Sequence, residues 1–201
     1  MKITRKSQRS SKTLVFAVIL LVAGVLVAIG ATPAFALSKG ETFVKGGNTY
    51  RIDEYDPKDS EGDVTLVKYG AKNTKPYINT IRYQGTSFQV EVIGRNAFNT
   101  KRGRRVVSVT LGRQVDRVQS KAFYGTKKLK VLNMGASDVV NLKKVNGVWK
   151  LDSIDAQKNA FVGAGAKTLK VRCGKESCAY RTVYHNALNS KGLRKTARVV
   201  K

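Results

Sequence analysis

The sequence predicts a β-rich solenoid in which one short strand per repeat stacks on the strand of the next repeat. A six-residue motif that ends in Ala-Phe occurs three times, beginning at Ile93, Val118 and Ala156. After each copy, a basic or Gly-rich turn leads into a segment of alternating apolar residues that ends in glycine. Alternation places every second side chain on one face of a strand, and an isolated strand cannot bury that face.

The spacing of the motif is typical of leucine-rich repeats, which have about 20–29 residues and one strand per unit. Phe98 and Phe123 are 25 residues apart, and Phe161 follows 38 residues later. Stacking predicts that these three rings form one internal column. A second column is expected to contain Leu111, Met134 and Cys173. The alternative is an ordinary antiparallel β-domain whose segments are similar by chance.

The repeated segments also resemble a known family. The run IGRNAF from Ile93, followed by VSVTLG and VQSKAFYGTKKLKVLNM, resembles the BspA-type leucine-rich repeats of bacterial surface and secreted proteins. The resemblance covers residues 92–171. It implies an α/β solenoid with short helical turns and a non-catalytic role in binding or adhesion. Gln119 and Gln157 depart from the pattern, because they replace the glycine that the first copy has at Gly94.

Residues 1–36 have the pattern of a secretory signal peptide. The first twelve residues contain five basic residues and no acidic residue, and Leu14–Ile29 is apolar. Pro33–Ala36 ends in the small-x-small pattern of a cleavage site, so we expect a cut after Ala36. A retained membrane anchor is the alternative, because a spanning helix needs about 20 apolar residues. Either way, the rest of the chain is expected outside the cytoplasm, with transient membrane contact through the signal peptide.

The remaining chain divides into three predicted parts. Residues 37–91 contain two hairpin patterns and are expected to form a β-rich N-terminal cap. Residues 92–174 contain the repeats, interrupted by a hairpin near 139–152, because Asn146-Gly147 between alternating apolar residues favours a two-residue turn. Residues 175–201 are expected to form a capping helix and a basic tail. We expect Trp149 on the hairpin to pack onto the solenoid, with an exposed binding anchor as the alternative.

The charge of the chain is large and unevenly divided. The chain has 38 basic and 13 acidic residues; 33 of the bases and all of the acids follow Ala36, so residues 37–201 have a net charge of +20. Residues 37–91 contain eight of each sign, whereas residues 92–201 contain 25 bases and five acids. This imbalance suggests an anionic partner, with a solvated surface as the alternative. The candidate residues for binding a polyanion or another partner are Lys101, Arg102, Arg104, Arg105, Lys127, Lys128, Lys130, Trp149, Lys167, Lys170 and Arg172. We expect the basic runs to occupy equivalent positions of the repeats.

Candidate catalytic chemistry is scarce in the sequence. Cys173 and Cys178 are the only cysteines, and such a pair outside the cytoplasm favours a disulfide, with two free thiols as the alternative. The single histidine, His185, leaves a zinc site without a fourth ligand. Cys178 and His185 are seven residues apart on a predicted helix, about 10 Å, which is too far for a nucleophile and its base. We therefore expect no catalytic residue, no metal and no cofactor.

Together these patterns predict a secreted or cell-envelope protein with a non-catalytic binding role. Its ligand is expected to be a protein, a glycan or an anionic envelope polymer. The alternative is a protein that binds nucleic acid non-specifically, or a membrane surface, by charge alone. A hydrolase is a more remote alternative, since a fold by itself does not determine activity.

Overall fold

The computed structural model describes residues 37–174 and 177–201, so the predicted signal peptide and its cleavage site lie outside the described residues. Residues 37–201 form a compact unit. It is mostly β-strand, with one short α-helix. The elements are β1 (Thr42–Lys45), β2 (Asn48–Asp56), β3 (Glu61–Lys68), β4 (Tyr77–Ile78), β5 (Thr80–Tyr83), β6 (Thr86–Ile93), β7 (Ser108–Leu111), β8 (Arg117–Val118), β9 (Val131–Asn133), β10 (Val140–Val145), β11 (Val148–Ile154), β12 (Lys170–Arg172), α1 (Arg181–Ser190) and β13 (Arg198–Val200).

The first sheet is mixed and has the strand order β1-β2-β3-β6-β5, with β8 also beside β6; β6 is parallel to β3 and β8, and the other pairs are antiparallel. β1 and β2 are joined by Gly46-Gly47, and both glycines have positive φ, 59° and 84°. Glycine adopts this conformation without steric cost, which explains why the chain can reverse here in two residues. β5 and β6 form the second hairpin expected in residues 37–91.

The second sheet is parallel and has the order β4-β7-β9-β12-β13. Val109 on β7 is in register with Leu132 on β9, which is in register with Val171 on β12. All three side chains are fully buried. Two residues further along each strand direction, the buried side chains are Leu111, Met134 and Cys173, the three residues expected to share a column.

Aromatic rings form a second buried column. The ring centroids of Phe98 and Phe123 are 5.1 Å apart, and those of Phe123 and Phe161 are 6.0 Å apart. Tyr69 adds a fourth ring at 4.9 Å from Phe98, which the sequence did not lead us to expect. Strand β4, which pairs in parallel with β7, also lies before residue 92. The stacked part of the fold therefore begins inside the segment that we expected to be only a cap.

The motif before each Phe forms a tight bend. Asn96, Lys121 and Asn159, one in each copy, precede the Ala-Phe pair and have positive φ between 57° and 65°. The first residues of the three copies are in parallel register. Ile93 pairs with Val118, and Val118 forms a bridge with Ala156 of the third copy. The three copies thus share one backbone conformation as well as one sequence pattern.

Glutamine has a structural role where it replaces glycine in the motif. The Oε1 atom of Gln119 accepts a hydrogen bond from the backbone N–H of Arg95 at 3.0 Å. The Oε1 atom of Gln157 accepts from the backbone N–H of Ser120, also at 3.0 Å. Each glutamine therefore joins its copy of the motif to the preceding copy. In the first copy, a Cβ atom at Gly94 would lie only 2.8 Å from the backbone oxygen of Leu66, so glycine is required there.

The two elements expected near the end of the chain are present. β10 and β11 form a two-stranded antiparallel sheet that turns at Asn146-Gly147, with φ of 50° and 78°. A 3-10 turn at Ser177–Tyr180 leads into α1, which buries Tyr184 and Leu188 and is followed by β13 on the edge of the parallel sheet. No helix among the described residues combines the length and hydropathy needed to cross a bilayer.

Candidate anion-binding surface

The predicted basic residues lie in two places rather than on one ribbon. Lys101, Arg102, Arg104 and Arg105 precede β7, and Lys127, Lys128 and Lys130 precede β9; except for half-buried Arg102, they are exposed. Lys167 is in the turn before β12 and is exposed too. Lys170 and Arg172 instead belong to β12 itself, where they flank the buried Val171 and point away from the core.

The expectation that all three runs are equivalent is therefore wrong in part. The first paired residue of the following strand comes ten residues after the motif's Phe in the first copy, at Ser108. It comes eight residues after it in the second copy, at Val131, and nine in the third, at Lys170. These different turn lengths shift the basic residues relative to the strands. Lys170, for example, is in register with Val131 and not with Lys130.

The residue three places before the aligned position of each parallel strand is basic in every case. Ser108, Val131, Lys170 and Arg198 are in register across four strands, and the residue three places before each is Arg105, Lys128, Lys167 and Lys195. In β4, Tyr77 pairs with Thr110, so the position equivalent to Arg105 is Lys72. All five side chains are exposed. We call these five residues the basic column: Lys72, Arg105, Lys128, Lys167 and Lys195.

Sequence reasoning missed both ends of this column. Lys72 and Lys195 precede β4 and β13, which have no Ala-Phe motif before them, so counting from the Phe residues could not find them. Counting back three residues from β13 finds Lys195, but residues 175–201 were expected to form a helix and a basic tail. The ion pairs present among the described residues are Arg51–Asp53 at 2.7 Å and Lys143–Asp152 at 2.5 Å, and neither involves the basic column.

Acidic side chains collect on the first sheet and on the turns that follow the parallel strands. Burial, followed by neighbouring carboxylates such as Glu54, raises the pKa of Asp63 above its ordinary value. The pKa of Glu91 is raised by burial and then by Asp63 and Asp116. Burial also raises the pKa of Asp116, although Arg117 opposes the shift. These carboxylates therefore repel one another instead of pairing with the basic column.

Two clefts among the described residues are lined mainly by polar side chains. A cleft of about 410 Å³ is lined by five carboxylates, those of Glu54, Asp56, Asp59, Glu61 and Asp63. A second, of about 520 Å³, lies between residues of β2, β6 and β8. Within residues 37–174 and 177–201, no three His, Cys, Asp or Glu side chains are grouped so that they could hold a metal ion.

The two cysteines and the histidine do not form a reactive pair. Cys173 and Cys178 are joined in a disulfide with a Cα–Cα distance of 5.4 Å, which ties the end of β12 to the turn before α1. A sulfur atom in a disulfide cannot serve as a thiolate nucleophile. His185 is half-buried on α1, and its Nδ1 atom lies 3.3 Å from the amide nitrogen of Asn189.

Trp149 is half-buried on β11 and packs against Tyr180, with ring centroids 5.2 Å apart and an interplanar angle of 37°. It contacts the segment that leads into α1, as the packing interpretation of the sequence expects. Leu151, on the same face of the hairpin, is 37% exposed. The hairpin therefore keeps part of its apolar surface in solvent.

Comparison with known proteins gives little further information. No sequence model of a known protein family matches the chain, and no curated protein matches it. Among solved structures, the crystal structure of the pneumococcal vaccine antigen PcpA is similar over 68% of this chain and 42% of that chain, with 14% sequence identity and a TM-score of 0.38. The chain thus spans less than half the length of the structure to which it is similar.

Proposed function

We propose that this chain is a leucine-rich repeat solenoid of the BspA type that acts outside the cytoplasm as a non-catalytic binding module. The motif spacing, the parallel register of β7, β9 and β12 and the stacked Phe rings support the solenoid. The disulfide between Cys173 and Cys178 supports an oxidising compartment, because such bonds persist mainly outside the cytoplasm.

The proposed ligand is an anionic polymer of the cell envelope or of the surface to which the protein attaches. The observation that carries this proposal is the basic column, in which five exposed bases occupy one position before five adjacent parallel strands. Strands in a sheet lie about 4.8 Å apart. On this proposal the spacing extends to the turns before the strands, which brings neighbouring bases within the Debye length of about 8 Å at physiological salt, so that their potentials add.

A polymer bound along the column would release counterions, and its affinity would fall steeply with salt. We expect the triple variant Arg105→Glu, Lys128→Glu and Lys167→Glu to elute from a heparin or wall-polymer column at clearly lower salt. The slope of log affinity against log salt should decrease by about 2 if three contacts are lost from a flexible chain. Elution of the variant at the wild-type salt concentration would contradict the proposal.

The matched control makes the same change in charge elsewhere. Lys45, Lys58 and Lys68 are exposed and belong to the part of the chain with balanced charge, so their triple reversal should leave elution nearly unchanged. Equal weakening by both triple variants would favour the second candidate function, binding of nucleic acid or membrane surfaces by net charge alone. A third triple variant, Lys170→Glu, Arg172→Glu and Arg198→Glu, tests whether the cations on the strand face contribute.

A further inference from the structure

The hairpin formed by β10 and β11 lies beside the start of α1, and its turn is exposed to solvent. Its two strands pair with each other and with no other strand of the described residues. At its base, Val140 is buried, and Leu142 and Ile154 are partly buried against the core. Its tip is the two-residue turn Asn146-Gly147, where a Cβ atom added at the glycine would contact nothing within 4 Å.

The tip combines apolar and basic side chains. Val145 and Val148 face each other across the turn, and Val148 is 60% exposed. Lys143 and Lys150 pair with each other on the same face as the two valines, whereas Lys144 pairs with Trp149 on the opposite face; all three lysines are exposed. The acid that faces them, Asp152, already forms an ion pair with Lys143. The tip therefore has an excess of positive charge around an apolar centre.

Trp149 completes the arrangement. Tyr180 supports one part of its ring, while the ring as a whole stays only half-buried. Tryptophan favours the boundary between lipid headgroups and acyl chains, and lysines favour the anionic headgroups beside it. An exposed valine, a tryptophan supported by Tyr180 and three lysines close to one turn match that boundary in polarity.

We propose that the tip of the β10–β11 hairpin inserts into the headgroup region of an anionic lipid bilayer. A nucleic acid would use the lysines but gains nothing from Val148 and Leu151, which are apolar and exposed. Neither of the two clefts described above is lined by residues of the hairpin. This inference is independent of the basic column, since the hairpin contains none of its residues.

The chain has one tryptophan, so its fluorescence reports on Trp149 alone. We would use residues 37–201, because they form a compact unit without the apolar N-terminal run. Mixed with vesicles of phosphatidylcholine and phosphatidylglycerol, the protein should show a blue shift of its emission and quenching by brominated acyl chains. Vesicles of phosphatidylcholine alone should give a much smaller response, because they do not attract the lysines.

The decisive variant is Val148→Asp, which should weaken vesicle binding by about tenfold or more, the effect expected when the burial of one valine is lost. Val44→Asp is the matched control, since Val44 is 64% exposed on β1, and it should bind as the wild type does. Circular dichroism establishes that both variants are folded.

Three outcomes would overturn the proposal. Equal binding of the Val148→Asp protein would show that the tip does not insert. Binding without a change in Trp149 emission or quenching would show that the protein adsorbs through charge alone. Retention of the protein on an acidic peptide or on single-stranded DNA, with no response to anionic vesicles, would assign the hairpin to a different partner.

Discussion

Replacing Phe123 with alanine tests whether the aromatic column stabilises the fold. The side chain is fully buried, with ring centroids at 5.1 Å from Phe98 and 6.0 Å from Phe161, so its loss leaves a cavity between two other rings. A buried Phe→Ala change costs about 3–5 kcal/mol. Proteins are typically stable by only about 5–15 kcal/mol, so this variant should lose a large part of its free energy of unfolding.

The measurement is urea unfolding followed by far-ultraviolet circular dichroism, from which the free energy of unfolding is extrapolated. Tyr77→Ala is the control, because Tyr77 is 62% exposed on an edge strand and should contribute less than about 0.5 kcal/mol. A loss below about 1 kcal/mol for Phe123→Ala would refute the assignment of the ring to the packed interior.

A double-mutant cycle separates stacking from burial. Phe98→Leu and Phe123→Leu change rings in contact, so we expect a coupling free energy of about 0.5–1.5 kcal/mol. Phe98→Leu and Phe161→Leu change rings that Phe123 separates, so their effects should add to within about 0.5 kcal/mol. Equal coupling in both cycles would mean that the rings respond to a general loosening of the core and do not stack pairwise.

Three further predictions concern other contacts. Gln157→Ala removes the acceptor for the backbone N–H of Ser120 and should cost about 0.5–1 kcal/mol, with faster hydrogen exchange at the Ser120 amide; unchanged exchange would contradict the bond. Replacing Cys173 and Cys178 with alanine should lower the free energy of unfolding by about 2 kcal/mol, because the bond closes a short loop. Burial raises the pKa of Tyr69 to about 12, so the folded state holds this proton more tightly than the unfolded state and stability should fall as pH rises from about 10 to 12. In a spectrophotometric titration, the Tyr69→Phe variant should lack a tyrosine that titrates near pH 12 in the wild type. A wild-type curve in which no tyrosine titrates near pH 12 would refute the raised pKa.

The spacing of the Phe residues was enough to predict the aromatic column, because a ring at a fixed position before each strand must stack when the strands pair in parallel. Tyr69 was missed for a local reason. It follows Leu66 by three residues, whereas Phe98 follows Ile93 by five, and no alanine precedes it. The register of Leu66 with Ile93 shows that the two segments are nevertheless neighbours.

The basic positions were harder to predict than the aromatic ones. A surface turn can gain or lose a residue without disturbing the core, so the three turns differ in length while the buried columns remain in register. Arg105, Lys128 and Lys167 were therefore identified from the basic runs, but their alignment in the basic column depended on the strand boundaries. The hairpin at Asn146-Gly147 was predictable because it depends on the conformation of two adjacent residues.

In a stacked repeat, residues at the same position of successive copies become neighbours, so a favourable or unfavourable contact between them occurs several times. Apolar residues at one position form a buried column, whereas like charges at one position repel their neighbours above and below. On the acidic side, burial is the main cause of the raised pKa values of Asp63, Glu91 and Asp116, and neighbouring carboxylates raise these pKa values further. The basic column has five like charges, so repulsion between neighbours opposes the stacking that the aromatic rings favour. Solubility alone does not require such an arrangement, because the same lysines at staggered positions would keep the protein equally well solvated. A bound polyanion would neutralise the column and remove the repulsion, which gives the arrangement a physical reason that a solvated surface lacks.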